Sequence, residues 1–112
     1  MKIVNLTDHD ITIMDANGGL ITVPPSGRLA RVEKIVRQAQ SVNNIPVRLE
    51  RPVAVKGLPS PEKGVVYLVS NFVLQQCNHR PDLFAPAAVE IVNGQKVAFR
   101  LYCTEAYTSG RR

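Results

Sequence analysis

The sequence predicts an α+β fold: a compact, mostly antiparallel β domain with one short helix packed on the sheet. Three observations predict it. Apolar residues make up 45% of the 112, yet there is no Trp and only three Tyr and three Phe, so Val, Ile and Leu must fill the core. These residues, two of them β-branched, favour strands. Eight prolines and seven glycines cut the chain into short pieces, the pattern of a β-rich domain. Two Asn-Gly steps, Asn17-Gly18 and Asn93-Gly94, each lie between apolar runs and supply the positive φ of tight hairpins.

In chain order, Lys2–Leu6 reads as a first strand and Ile11–Ile13 as a second. The turn Asp15–Gly19 returns the chain into a third, Leu20–Val23. Pro24-Pro25-Ser26-Gly27 then redirects it. Residues 28–40 fit two readings. Leu29, Val32, Val36 and Ala39 recur at helical spacing with Ser26 as an N-cap. As a strand, Arg28–Val36 would pair with Ile45–Leu49 one short loop later, and this reading is preferred. Pro46 suits an edge strand, and a free sheet edge beside it would offer a docking surface. Val47, Leu49, Val53 and Val55 form an alternating stripe opposite Arg48, Glu50 and Lys56.

Residues 57–64 read as a loop, Val65–Val69 as a buried strand and Asn71–Cys77 as the helix. Val89–Val92 and Lys96–Tyr102 form the closing hairpin. The expected core is Ile3, Val4, Ile11, Ile13, Ile21, Val23, Val32, Val47, Leu49, Val66, Leu68, Phe72, Val73, Ile91, Val97, Phe99 and Leu101. One domain, 1–108, with a flexible basic tail at 109–112, accounts for the whole chain.

The net charge is +5, of which Arg111 and Arg112 contribute two, leaving about +3 on the body. That permits an acidic partner without demanding one. No apolar run is long enough for a signal peptide or a membrane span, so the reading is cytoplasmic, with no membrane partner. Cys77 and Cys103 fit free thiols in a reducing compartment better than a disulfide.

Four groups are candidates for chemistry. Ser70 follows a strand and precedes a helix, but lacks the glycines of a nucleophile elbow and reads first as an N-cap, with Asn71 beside it. Catalysis there would need a base, and His9 and His79 are the only histidines. Arg80-Pro81-Asp82 holds two charges in a fixed relation. It is either a bidentate clamp for a carboxylate or phosphate, or a structural turn. Cys77, His79, Cys103 and His9 lack the spacing of a zinc site, and neither metal nor cofactor is expected. Arg28, Arg31, Lys34 and Arg37 would track phosphates if helical but split between faces if extended, and no aromatics are interleaved for base stacking.

Several short motifs together resemble a family of small phage and bacterial proteins. They are Asn5-Leu6-Thr7-x-His9, Pro24-Pro25-Ser26-Gly27 followed by Ala30-Arg31-Val32, Gly57-Leu58-Pro59, Gly64-x-x-Tyr67-x-Val69-Ser70, and Arg80-Pro81-Asp82-Leu83-x-Ala85-Pro86. Two positions depart from the pattern: Asp8 stands where proline is usual, and Ala87 where an acidic residue is. The resemblance implies a phage or prophage context and one compact domain, and supplies no activity. The expected function is therefore an accessory role exerted by binding a host macromolecule, a protein first. Nucleic-acid binding through 28–37 is the alternative. A small-ligand or enzymatic site centred on Ser70, Asn71, Arg80, Asp82 and His9 ranks third.

Overall fold

The computed structural model describes residues 1–104, so the tail expected at 109–112 lies outside the described residues. Its elements are β1 (Lys2–Asn5), β2 (Ile11–Met14), β3 (Leu20–Val23), β4 (Arg31–Val42) and β5 (Ile45–Lys56), then β6 (Val65–Leu68), α1 (Asn71–Gln76), β7 (Leu83–Val92) and β8 (Gln95–Tyr102). Six strands form a sheet in the order β1-β6-β7-β8-β2-β3, and β4 and β5 form a separate two-stranded ribbon. Most registered pairs are antiparallel, in β2–β3, β7–β8 and β4–β5. Parallel joins at β1–β6, β6–β7 and β2–β8 stitch these hairpins together. The domain is a mostly antiparallel β structure with one short helix packed on it.

Successive residues of β6 point to opposite faces of the sheet, and two apolar clusters follow from that alternation. Tyr67 and Val69 join Leu6, Leu83 and Ala85 in one cluster, which α1 covers with Val73, Leu74 and Cys77. Leu68 joins Ile11, Ile13 and Ala98 in the other, with Val23, Phe84 and Leu101 at its margin. Of the expected core, Ile11, Ile13, Leu68, Val73 and Val97 are buried, whereas Ile3, Ile21, Leu49, Phe72 and Ile91 are exposed. The corrections have local causes. The helix buries Val73 and Leu74 on one side, which turns Phe72 outward. Ile91 lies toward the free end of the β7–β8 hairpin, and Leu49 on the ribbon.

Residues 31–42 are a strand, longer than the expected segment. Ser26 caps no helix there: its Oγ accepts from the Arg28 amide in a turn. Asn43 and Asn44, at φ of 49° and 66°, form the two-residue reversal that lets β4 fold back onto β5. β7 also begins earlier than expected, at Leu83, because Pro86 and the small residues around it conceal strand character. Ala88 within it sits at φ of 52°, in the left-handed region.

The β4–β5 ribbon is an arm. Twelve residues per strand span about 40 Å at ~3.4 Å per residue. The long axis of the molecule is 52 Å against 37 and 27 Å for the others. Only the root of the arm meets the core, through Ala30, Val32, Val55 and Leu58. Two register breaks twist it. Val53 is an extra residue between the Glu33–Ala54 and Lys34–Pro52 pairs, and Gln40 and Ser41 together oppose Pro46. A bulge leaves an amide unpaired, which accommodates a proline.

Candidate functional site

The strand form of 31–42 splits its basic residues between faces, as an extended chain must. Cross-strand partners share a face, and the register therefore assigns the paired residues of the arm. One face carries Val32, Lys34, Val36 and Gln38 against Val55, Pro52, Glu50 and Arg48. There Glu50 receives both Lys34 and Arg48, and these partners, Lys34 first, hold its carboxyl below the usual carboxylate range. The cations of that face are spent internally.

The opposite face carries Arg31, Glu33, Ile35, Arg37, Ala39 and Val42 against Lys56, Ala54, Arg51, Leu49, Val47 and Ile45. Ile35, Leu49, Val42 and Ile45 are 37, 54, 57 and 61% exposed, so this is an apolar surface left in water. Arg37 lies opposite Leu49 and Arg51 opposite Ile35, and the salt bridges of the described residues involve neither guanidinium. Over residues 31–56, six Lys and Arg against two Glu leave +4, nearly all of the chain's +5. The predicted basic candidates thus divide: Arg31 and Arg37 share the apolar face, Lys34 is bound to Glu50, and Arg28 precedes the arm. The bulge at Val53 also breaks the expected stripe, placing Val55 on the face opposite Val47 and Leu49.

The Arg80-Pro81-Asp82 segment is a structural clamp. Arg80 Nε and Nη2 donate to the two Asp82 carboxylate oxygens at 2.9 and 2.8 Å, and Nη2 also donates to the Pro59 carbonyl at 2.9 Å. Both side chains are nearly buried, 13 and 12% exposed. The Asp82 hydrogen bonds push Arg80 above its already high pKa. Tyr67 Oη, 3.5 Å from the Ser60 carbonyl, is a second, weaker tie to the 57–64 loop. Most of the guanidinium fork is occupied, leaving little for an incoming anion.

His9, Ser70 and Asn71, by contrast, do come together. They line a cleft of about 210 Å³ with Thr7, Asp8, Ile11, Leu29, Ala30, Val69 and Pro86. Asn5, 1% exposed, fixes the loop above it. Its Nδ2 donates to the His9 and Val23 carbonyls, and its Oδ1 accepts from the Thr7 amide and hydroxyl. Sequence reasoning singled out the motif but not Asn5 as its keystone, and an Asn before Thr-x-His was the available signal. Ser70 is the helix N-cap, its Oγ accepting from the Val73 amide at 3.2 Å. His9 Nδ1 pairs with Asp8 at 2.9 Å in solvent. Neither Arg80 nor Asp82 lines this cleft.

Cys77 is buried in the core, and burial is the main cause that pushes its thiol pKa up, against a smaller opposing pull from Arg80. His79 is exposed beyond α1. Among the described residues no group of three His, Cys, Asp or Glu is placed to hold a metal ion, and no helix is long and apolar enough to cross a membrane. Comparison with protein-family models, curated proteins and solved structures finds no match to this chain.

Proposed function

We propose that this protein is a binding module of the phage-accessory kind its motifs resemble, acting in the cytoplasm by engaging a host protein through the β4–β5 arm. The observation that carries the reading is the arm's exposed face, where Ile35, Leu49, Val42 and Ile45 alternate with the unpaired Arg37 and Arg51. Exposed aliphatic side chains gain from burial against another apolar surface, at roughly 25 cal/mol per Å². The guanidiniums add specificity and on-rate toward carboxylates. The partner is thus an acidic surface with an apolar centre. The arm's +4 also favours nucleic acid, since a two-stranded ribbon fits a major groove. Phosphate contacts alone would leave the aliphatic face in water, which places that reading second. Free thiols at Cys77 and Cys103 fit a reducing compartment.

The test compares wild type, Arg37→Glu/Arg51→Glu and Leu49→Ser/Ile45→Ser as baits in host lysate, with nuclease and graded salt. The reading predicts a specific protein of acidic surface, lost with both variants and weakened by salt. Retention by both variants contradicts it. Recovery of only nuclease-sensitive material moves the assignment to nucleic acid.

A further inference from the structure

We infer that the outer edge of β4 pairs with the same edge of a second copy of this chain, joining two arms into a four-stranded antiparallel sheet. The prolines of β5 show which edge is open. Proline has no N–H, so Lys34 and Pro52 cannot exchange the two bonds of a hydrogen-bonded pair and form a non-hydrogen-bonded one. Alternation makes Val36–Glu50 and Gln38–Arg48 the same. The outward row of β5 is then Pro46, Arg48, Glu50 and Pro52, with a donor missing at each end. Edge prolines of this kind block the addition of another strand. The outward row of β4 is Lys34, Val36 and Gln38, in a strand without proline. Its N–H and C=O groups can receive a further strand.

A two-stranded ribbon projecting into water is marginally stable, and additional strands support it. One open edge and one blocked edge favour a closed pair over a growing fibre.

The charges along β4 identify the occupant and the register. Outward groups must meet outward groups, so a two-fold antiparallel pair has its axis on one residue of the strand. An axis at Lys34 sets that residue against itself and Arg31 against the partner's Arg37, and an axis at Arg37 sets Arg37 against itself. An axis at Val36 sets Ile35 against the partner's Arg37. An axis at Ile35 sets Glu33 of each copy against the partner's Arg37, around an Ile35–Ile35 centre. In that register Lys34 faces the partner's Val36, and Arg31 the partner's Ala39, so no like charges are opposed. Both ion-pair members are accessible for it. Glu33 lies 3.9 Å from Lys56, and the salt bridges of the described residues do not include Arg37. Ile35 and Val36 are exposed. Pairing stops at Ala39, because the bulge at Gln40 and Ser41 bends the strand. Leu49, Ile45 and Arg51 on β5 lie outside the seam, so the pairing neither needs nor excludes a host protein.

The experiment is sedimentation equilibrium of the full chain over a range of concentrations. Wild type should pass from 12.3 kDa to twice that mass. Glu33→Arg sets Arg against Arg at two places and should weaken the dimer about tenfold or more. Glu33→Arg/Arg37→Glu reverses both ion pairs and should restore it. Val36→Pro removes an outward amide that the ribbon's own ladder does not use, and should give a monomer with the circular dichroism of wild type. A wild type that stays monomeric, a dimer that Glu33→Arg and Val36→Pro leave unchanged, or a charge reversal that fails to restore it would each overturn the assignment.

Discussion

The Leu29 carbonyl oxygen occupies the space that a side chain would need at Gly57. The two residues flank the root of the arm, Leu29 just before β4 and Gly57 just after β5. Gly57 also sits at φ of 81°, where a β-carbon is strained independently of the clash. The arm can leave the sheet as a closed ribbon because its two ends touch here without side chains between them.

Gly57→Ala should therefore destabilise the protein by more than the ~1 kcal/mol of an ordinary strained glycine site, since backbone must move. Urea unfolding measures it. A change within ~0.5 kcal/mol would show that the root opens freely and that the arm is not anchored there.

Breaking the Arg80–Asp82 pair should cost stability rather than binding. Arg80→Met leaves Asp82 a nearly buried carboxylate without its partner, a loss of roughly 3 kcal/mol. Replacing both, as Arg80→Met/Asp82→Leu, should recover part of that loss, because no uncompensated charge then remains. Denaturant midpoints of the three proteins check the order.

Ala88→Gly should raise stability by several tenths of a kcal/mol to about 1 kcal/mol, because glycine relieves the left-handed strain at φ of 52° at some entropic cost. Thermal unfolding reads it directly, and a lower Tm would place the determinant of that kink elsewhere.

Cys77 should resist thiol reagents in the native state, since its raised pKa keeps thiolate scarce and the helix covers it. Ellman's reagent should label it only as the protein unfolds, whereas Cys103, partly exposed, should react first. Mass spectrometry of labelled peptides distinguishes the two.

Acid should loosen the arm at one defined point. Glu50 has a folded pKa below its ordinary 4.5, held there by Lys34 and Arg48. Its contribution is therefore present above the ordinary value and fades as pH falls through the lower folded one. Amide exchange of β4 and β5 across that range should quicken relative to the sheet. The effect should shrink in high salt, because the group is solvent-exposed.

The sheet was legible where local chemistry and tertiary packing agree. Asn93-Gly94 predicts the β7–β8 turn, and Ile11-Thr12-Ile13 shows the strand that pairs with Leu20–Val23. The arm was half legible. Its strands could be read, but Leu49 looks like a core residue, and only the fold shows that it faces solvent. Leu6 and Leu83 were missed as core because they lie at strand ends, where periodicity is too short to judge. At the candidate site, grouping Ser70 with Arg80 and Asp82 rested on their lying within one short stretch of chain. The fold keeps His9, also named with Ser70, beside it in one cleft and takes Arg80 and Asp82 elsewhere.

The arm is the central claim, and a photo-crosslinking amino acid at Leu49 tests it most directly, beside the same group at Leu20 on the edge strand β3. The account predicts a discrete adduct from Leu49, sensitive to protease, resistant to nuclease and abolished by Arg37→Glu/Arg51→Glu, with none from Leu20. Adducts from Leu20 alone, or nuclease-sensitive ones from Leu49, would contradict a protein-binding arm.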